Sequence, residues 1–103
     1  MIIDKGISPG EIITIKLTSG EEVIAKLIEE TDIYIKVAKP RVLTSAGGGI
    51  GLAPYLFTVD QDKDIKMYKP FVIIEPTQNE YATQYLSATS GIQLVWHLKY
   101  HQH

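Results

Sequence analysis

The stretch IITIKLTSGEEVIAKLIEETDIYIKV, residues 12–37, decides the fold class. Ile12, Thr14, Lys16 and Thr18 alternate with Ile13, Ile15 and Leu17. That period of two, rich in β-branched side chains, predicts a half-buried strand. Ser19-Gly20 then supplies a tight turn, because glycine takes a positive φ at low cost. Val23, Ala25 and Leu27 alternate with Ile24, Lys26 and Ile28 in a second strand, antiparallel to the first. Glu29-Glu30-Thr31-Asp32 reads as a polar connection to a third strand. There Ile33, Ile35 and Val37 alternate with Tyr34, Lys36 and Ala38. The entry to that strand carries an acid, Asp32, and two residues on an aromatic, Tyr34.

Working outward, Ser8-Pro9-Gly10 breaks the chain before the first strand. Pro40 predicts a bend or a sheet edge in the third strand, with Val42-Leu43-Thr44 continuing it. Residues 45–51 hold Gly47, Gly48, Gly49 and Gly51 and read as a flexible hairpin tip. They lack the residue order and the strand-to-helix setting of a phosphate loop. Residues 54–59 read as a strand and residues 60–64 as a solvated turn. Residues 65–68 and 71–74 are two more strand pieces, separated by Lys69-Pro70. Thr77 and Glu80 have capping-box spacing at the head of a helix. Tyr81, Tyr85 and Ala88 fall at helical spacing, and Gly91 is the expected stop. Residues 92–96 alternate weakly, and residues 97–103 form a polar tail with one tyrosine. There is no internal repeat. The expectation is one domain over residues 1–103: mostly β, a strongly bent five-stranded open barrel with a C-terminal helix. A small barrel with open edges must pair or cover them, and strand addition between subunits does so.

Composition narrows the function. The chain has 103 residues, 45% of them hydrophobic and 21% charged, with a formal net charge of -2. A protein that wraps duplex DNA draws its affinity from many phosphate contacts and is basic as a rule. Any nucleic-acid role here rests on a local patch, on base stacking, or on repetition of a weak site. The absence of cysteine excludes disulfides, thiolate zinc sites and a cysteine nucleophile. The N-terminus is charged too early for a secretory signal. No apolar run approaches the roughly 20 residues of a membrane helix. A soluble, cytoplasmic protein is expected. No Ser-His-Asp set assembles, and no carboxylate sits in an apolar setting that raises its pKa. The chain therefore reads as a non-enzyme without a cofactor. His97, His101 and His103 have the chemistry of a metal site, but a frayed tail is the common fate of such residues, and no metal is assigned. Asp60, Asp62 and Asp64 lack the glycine and distant glutamate of a calcium loop.

The order of these strands resembles the Sm and Sm-like family, including the bacterial Hfq type. Leu17-Thr18-Ser19-Gly20 takes the opening of the family's first motif, with Ser19 in its Asp/Asn place. Ala25 stands where a second small residue lets the strand bend, and Leu27 takes the following apolar position. Asp32 and Tyr34 fall at the acid and aromatic positions, one residue later than the usual count, and Lys36 stands where the family has Asn. Residues 65–74 echo the second motif, with Lys69-Pro70 in place of Arg/Lys-Gly. The likeness covers roughly residues 11–75. It implies a homo-oligomeric ring of five to seven copies that binds single-stranded RNA. Tyr34 would stack on a base beside Asp32, while Lys36, Lys39, Arg41 and Lys69 form a basic rim that meets phosphate. Residues 80–92 look like the ending of small Sm-like proteins of marine phages (cyanophages). That likeness implies a phage-encoded origin and a place in the host-cell cytoplasm. A second reading is a protein-interaction or structural role in phage assembly, with a phage or host protein as partner. The acidic balance, the missing Asn at position 36 and the aromatic tail with Trp96 and Tyr100 favour it.

Overall fold

The computed structural model describes residues 7–46, 49–71 and 73–90. Six antiparallel strands form one sheet, followed by one helix: β1 (Ile12–Lys16), β2 (Glu22–Glu30), β3 (Tyr34–Ala46), β4 (Gly49–Pro54), β5 (Ile65–Tyr68), β6 (Ile73–Pro76) and α1 (Asn79–Ala88). The strands run in the order β4-β3-β2-β1-β6, with β5 also paired to β3. The sheet does not close into a barrel, and it has one strand more than expected.

The β1–β2 hairpin follows the sequence pattern. Ile13 pairs with Ala25 and Ile15 with Val23, and Gly20 takes the positive φ, 102°, that the turn requires. β2 runs through Glu29 and Glu30, which pair with Lys36 and Ile35. The expected polar connection is thus strand, and the turn shrinks to residues 31–33. Cross-strand pairing and the Glu29–Lys36 attraction extend the ladder past the apolar alternation.

β3 is the long element, 13 residues. Its first half pairs with β5 (Tyr34↔Tyr68, Val37↔Ile65), and its second half pairs with β4 (Arg41↔Pro54 to Ala46↔Gly49). Pro40 marks a bend, as expected, but not an edge: it is buried in the middle of the sheet. The β2–β3 register shifts between Ile24 and Lys26. The β3 residues opposite that shift include Lys39, in the left-handed region at φ 48°, and Pro40, which has no N–H for the ladder. A bulge absorbs that missing donor. Ala25 sits inside the shift and is fully buried.

The strand expected at residues 54–59 lies earlier, at Gly49–Pro54. Gly49 and Gly51 therefore belong to a strand, while residues 55–64 form the connection to β5. Their propensities point to a loop, but pairing with the free side of β3 overrides them.

The core lies on one face of the sheet: Ile13, Ile15, Val23, Ala25, Leu27, Ile35 and Val37, with Ile65, Met67, Phe71 and Ile74 packed against them. α1 lies on the other face, anchored by Tyr85, which is 2% exposed. The expected capping box does not form. Gln78 is the N-cap and gives no side-chain cap, while the Thr77 hydroxyl bonds that of Thr14 at 2.8 Å, tying the helix entry to β1. Gly91 and the tail, including the three histidines, lie outside the described residues. Among the described residues no helix is long and apolar enough to cross a membrane, and no cluster of acidic or histidine side chains gathers in a metal-binding arrangement. Asp60, Asp62 and Asp64 are all exposed, in keeping with a solvated turn.

Candidate nucleic-acid interface

Alternation on β3 and β5 sorts their side chains onto two faces. Ile35, Val37, Ile65 and Met67 turn inward to the core, so Tyr34, Lys36, Lys66 and Tyr68 share the outer face. Tyr34 and Tyr68 are register partners. Their rings meet edge to face, with centroids 5.7 Å apart and planes at 73°. This is the arrangement the ring quadrupole prefers, contributing about 0.5–1.5 kcal/mol beyond buried area. The Lys66 ammonium lies 4.9 Å from the Tyr34 ring centroid, within cation–π range. Tyr68 remains 61% exposed and offers the more open ring.

The turn before β3 fixes Tyr34. The Thr31 hydroxyl oxygen accepts the backbone N–H groups of Ile33 at 3.2 Å and Tyr34 at 3.0 Å. The Thr31 N–H in turn donates to the Tyr34 carbonyl at 2.8 Å. A threonine two to three residues ahead of the strand thus closes a local turn of the kind short hydroxyl side chains favour. Asp32 is exposed at this bend, and Ile33 beside it is also largely exposed.

The six residues expected at the site divide into two groups. Asp32, Tyr34, Lys36 and Lys69 gather at the β2–β3 end of the sheet, where the Lys69 N–H donates to the Ile33 carbonyl at 2.9 Å. Both lysines there are paired: Lys36 with Glu29 at 3.4 Å and Lys69 with Glu30 at 2.9 Å. Such surface pairs contribute about 0–1 kcal/mol and open readily to a competing anion. Lys39 and Arg41 lie beyond the bulge. Lys39 Nζ reaches the Thr89 carbonyl at the end of α1, 3.5 Å away. Arg41 donates to the Pro40 carbonyl at 3.2 Å and to Gln61 at 3.4 Å. The bulge at Lys39-Pro40 thus sets these two cations against the helix end and the β4–β5 connection, apart from Lys36 and Lys69.

Lys66 and Tyr68 were absent from the residues expected at the site. Their signal was present in Ile65-Lys66-Met67-Tyr68, where alternation puts Lys66 and Tyr68 on one face. What the sequence does not convey is the partner: only the β3–β5 register brings that face beside Tyr34. Chemically, the patch presents two phenol rings and one ammonium group to solvent, a surface suited to flat π systems with negative charge nearby.

Compared with known protein families, curated proteins and solved structures, the chain matches none.

Proposed function

We propose that the protein is an Sm-like, non-enzymatic RNA-binding protein. Copies join edge to edge into a ring, and single-stranded RNA stacks on Tyr34 and Tyr68. The observation that carries this reading is the solvent-facing Tyr34–Tyr68 pair with Lys66 beside it. Stacking contributes on the order of 1–3 kcal/mol per base and needs no large net positive charge, which suits a chain of net charge -2. Further support comes from the bent β3, from its bulge at Lys39-Pro40 opposite Ala25, and from the return of β6 to β1. β4 and β6 stand at opposite ends of the strand order, so each has a backbone edge to offer a neighbouring copy. Lys36 and Lys69 meet phosphate by exchanging their glutamate partners for it.

The test is binding of U-rich and A-rich oligonucleotides at low salt, with light scattering to give the mass of the assembly. Tyr34→Ala and Tyr68→Ala are each expected to weaken binding about ten-fold or more, from the lost stacking. Absence of affinity for either oligonucleotide removes the proposal.

A second reading, a protein-interaction or assembly role in a phage, draws on different observations. Phe57 is 77% exposed and Ile33 is 62% exposed, while the Lys36 and Lys69 charges are already balanced within the chain. An assembled particle with a uniformly acidic surface favours a protein partner. A basic rim confined to Tyr34, Lys36 and Lys66 favours RNA.

A further inference from the structure

Three lysines stand around the Tyr34–Tyr68 pair, and their charges are not equally committed. Glu29, Lys36 and Lys66 form one row across the sheet, since Lys36 pairs in register with Glu29 on one side and with Lys66 on the other. Like charges directly opposite repel, and the Glu29 carboxylate, 3.4 Å from Lys36 Nζ, offsets one of the two. At the neighbouring turn Glu30 holds Lys69 Nζ at 2.9 Å. Among the described residues no carboxylate pairs with Lys66, which is exposed and lies over the Tyr34 ring. With Asp32 at the bend, three carboxylates accompany three ammonium groups, so this end of the sheet carries no net charge.

A phosphate that meets Lys36 or Lys69 must displace a carboxylate. The displaced carboxylate stays close by and gathers a cation from solution, just as the phosphate releases one. The exchange therefore yields little net counterion release, and that release is what makes binding of nucleic acid tighten as salt falls. Lys66 alone of the three meets a phosphate with no such exchange. A bare polyanion gains little from such a face, whereas a strand with unstacked bases still gains the two rings.

We propose that Glu29 and Glu30 are specificity-determining residues of this face: they occupy Lys36 and Lys69 in the place of phosphate, so that a bound strand is held by stacking with one net phosphate contact, at Lys66, and its binding varies little with salt. This inference rests on the RNA reading and adds to it the regulation of its cations.

The probe is a U-rich oligonucleotide short enough to occupy one patch, titrated over a range of salt against the full chain, Glu29→Gln, Glu30→Gln and the double variant. Glutamine keeps the shape of the side chain and removes its charge. For the unmodified chain, the slope of log affinity against log salt is expected near −0.7, about one phosphate contact on a single strand. Each single variant is expected to steepen that slope by about 0.7 and to tighten binding at low salt by up to about five-fold. Glu21→Gln makes the same change in net charge in the β1–β2 turn, at the other end of β2, and leaves both readings unchanged. Circular dichroism confirms the fold of each variant. Binding by the unmodified chain with neither reading moved, or weakened, in the two glutamine variants overturns the proposal and leaves the RNA reading standing. An equal effect of Glu21→Gln also overturns it, because net charge alone would then be acting. Binding by the double variant alone supports the proposal and counts against the RNA reading, and binding by neither chain removes both.

Discussion

The Tyr85 hydroxyl lies 3.0 Å from the carbonyl oxygen of Lys39 and 3.0 Å from that of Ala38. Its one proton is shared between two carbonyls at the bulge of β3. The bulge costs ladder bonds on either side of Pro40, and a buried carbonyl left without a donor costs about 1–3 kcal/mol. The helix therefore holds the kink of the sheet through one phenol, and Lys39 and Arg41 lie at that kink.

Tyr85→Phe tests that relationship. The ring and its packing remain, while both carbonyls lose their side-chain donor. A destabilisation of about 1–3 kcal/mol is expected in urea unfolding. An unchanged midpoint would mean that the carbonyls have other partners.

Alkaline titration gives a second view of the same group. Burial pushes the Tyr85 pKa up to about 12, outweighing the Arg41 guanidinium and the Lys26 backbone N–H, which favour the phenolate. The unfolded value is near 10, so the folded pKa is the raised one. The hydroxyl's contribution is complete below pH about 10 and is lost as pH rises from there through about 12, because the unfolded chain ionises first. Stability of the unmodified protein should fall more steeply over that window than stability of Tyr85→Phe. Parallel pH curves for the two would count against the buried hydroxyl.

Lys39 occupies a left-handed conformation, φ 48°, that costs a non-glycine residue roughly 1–2 kcal/mol. Lys39→Gly should be neutral to stabilising by up to about 1 kcal/mol, with the lost contact to Thr89 offsetting part of the gain. Lys39→Val, β-branched at the same φ, should destabilise by about 1–3 kcal/mol. Thermal midpoints of the pair decide the matter, and the reverse order would contradict the conformation.

Ala25 has no exposed surface and sits where the β2 register shifts. Ala25→Leu forces extra methylenes into a filled site, at about 1–3 kcal/mol or more. Ala25→Gly removes one methyl and adds backbone freedom, a loss of roughly 1 kcal/mol. Chemical denaturation should rank Leu below Gly below Ala.

The helix entry separates two readings of Thr77. A capping box makes Glu80 as necessary as Thr77. The Thr14–Thr77 hydroxyl bond makes Thr77→Val costly, about 1 kcal/mol, and leaves Glu80→Ala within about 0.5 kcal/mol of the unmodified chain. A larger loss at Glu80 would restore the capping box.

What the sequence alone determined follows from interactions that act within a few residues. Alternation at residues 12–18, 23–28 and 33–38 specified β1, β2, the start of β3 and which side chains turn inward, because side chains on a strand alternate faces whatever the strand pairs with. Gly20 marked the turn through its own φ, and Tyr81 and Tyr85 marked the helix through its own period. Tertiary structure decided the rest. Gly49-Ile50-Gly51 became a strand because β3 offered it a ladder. Glu29 and Glu30 became strand because Lys36 and Ile35 stood opposite. Thr77 turned from its own helix to Thr14, 63 positions away, and Tyr68 met Tyr34 through a register that no local pattern encodes. Each of those outcomes depends on hydrogen-bonding partners distant in the chain, and backbone groups bond whatever the fold sets before them.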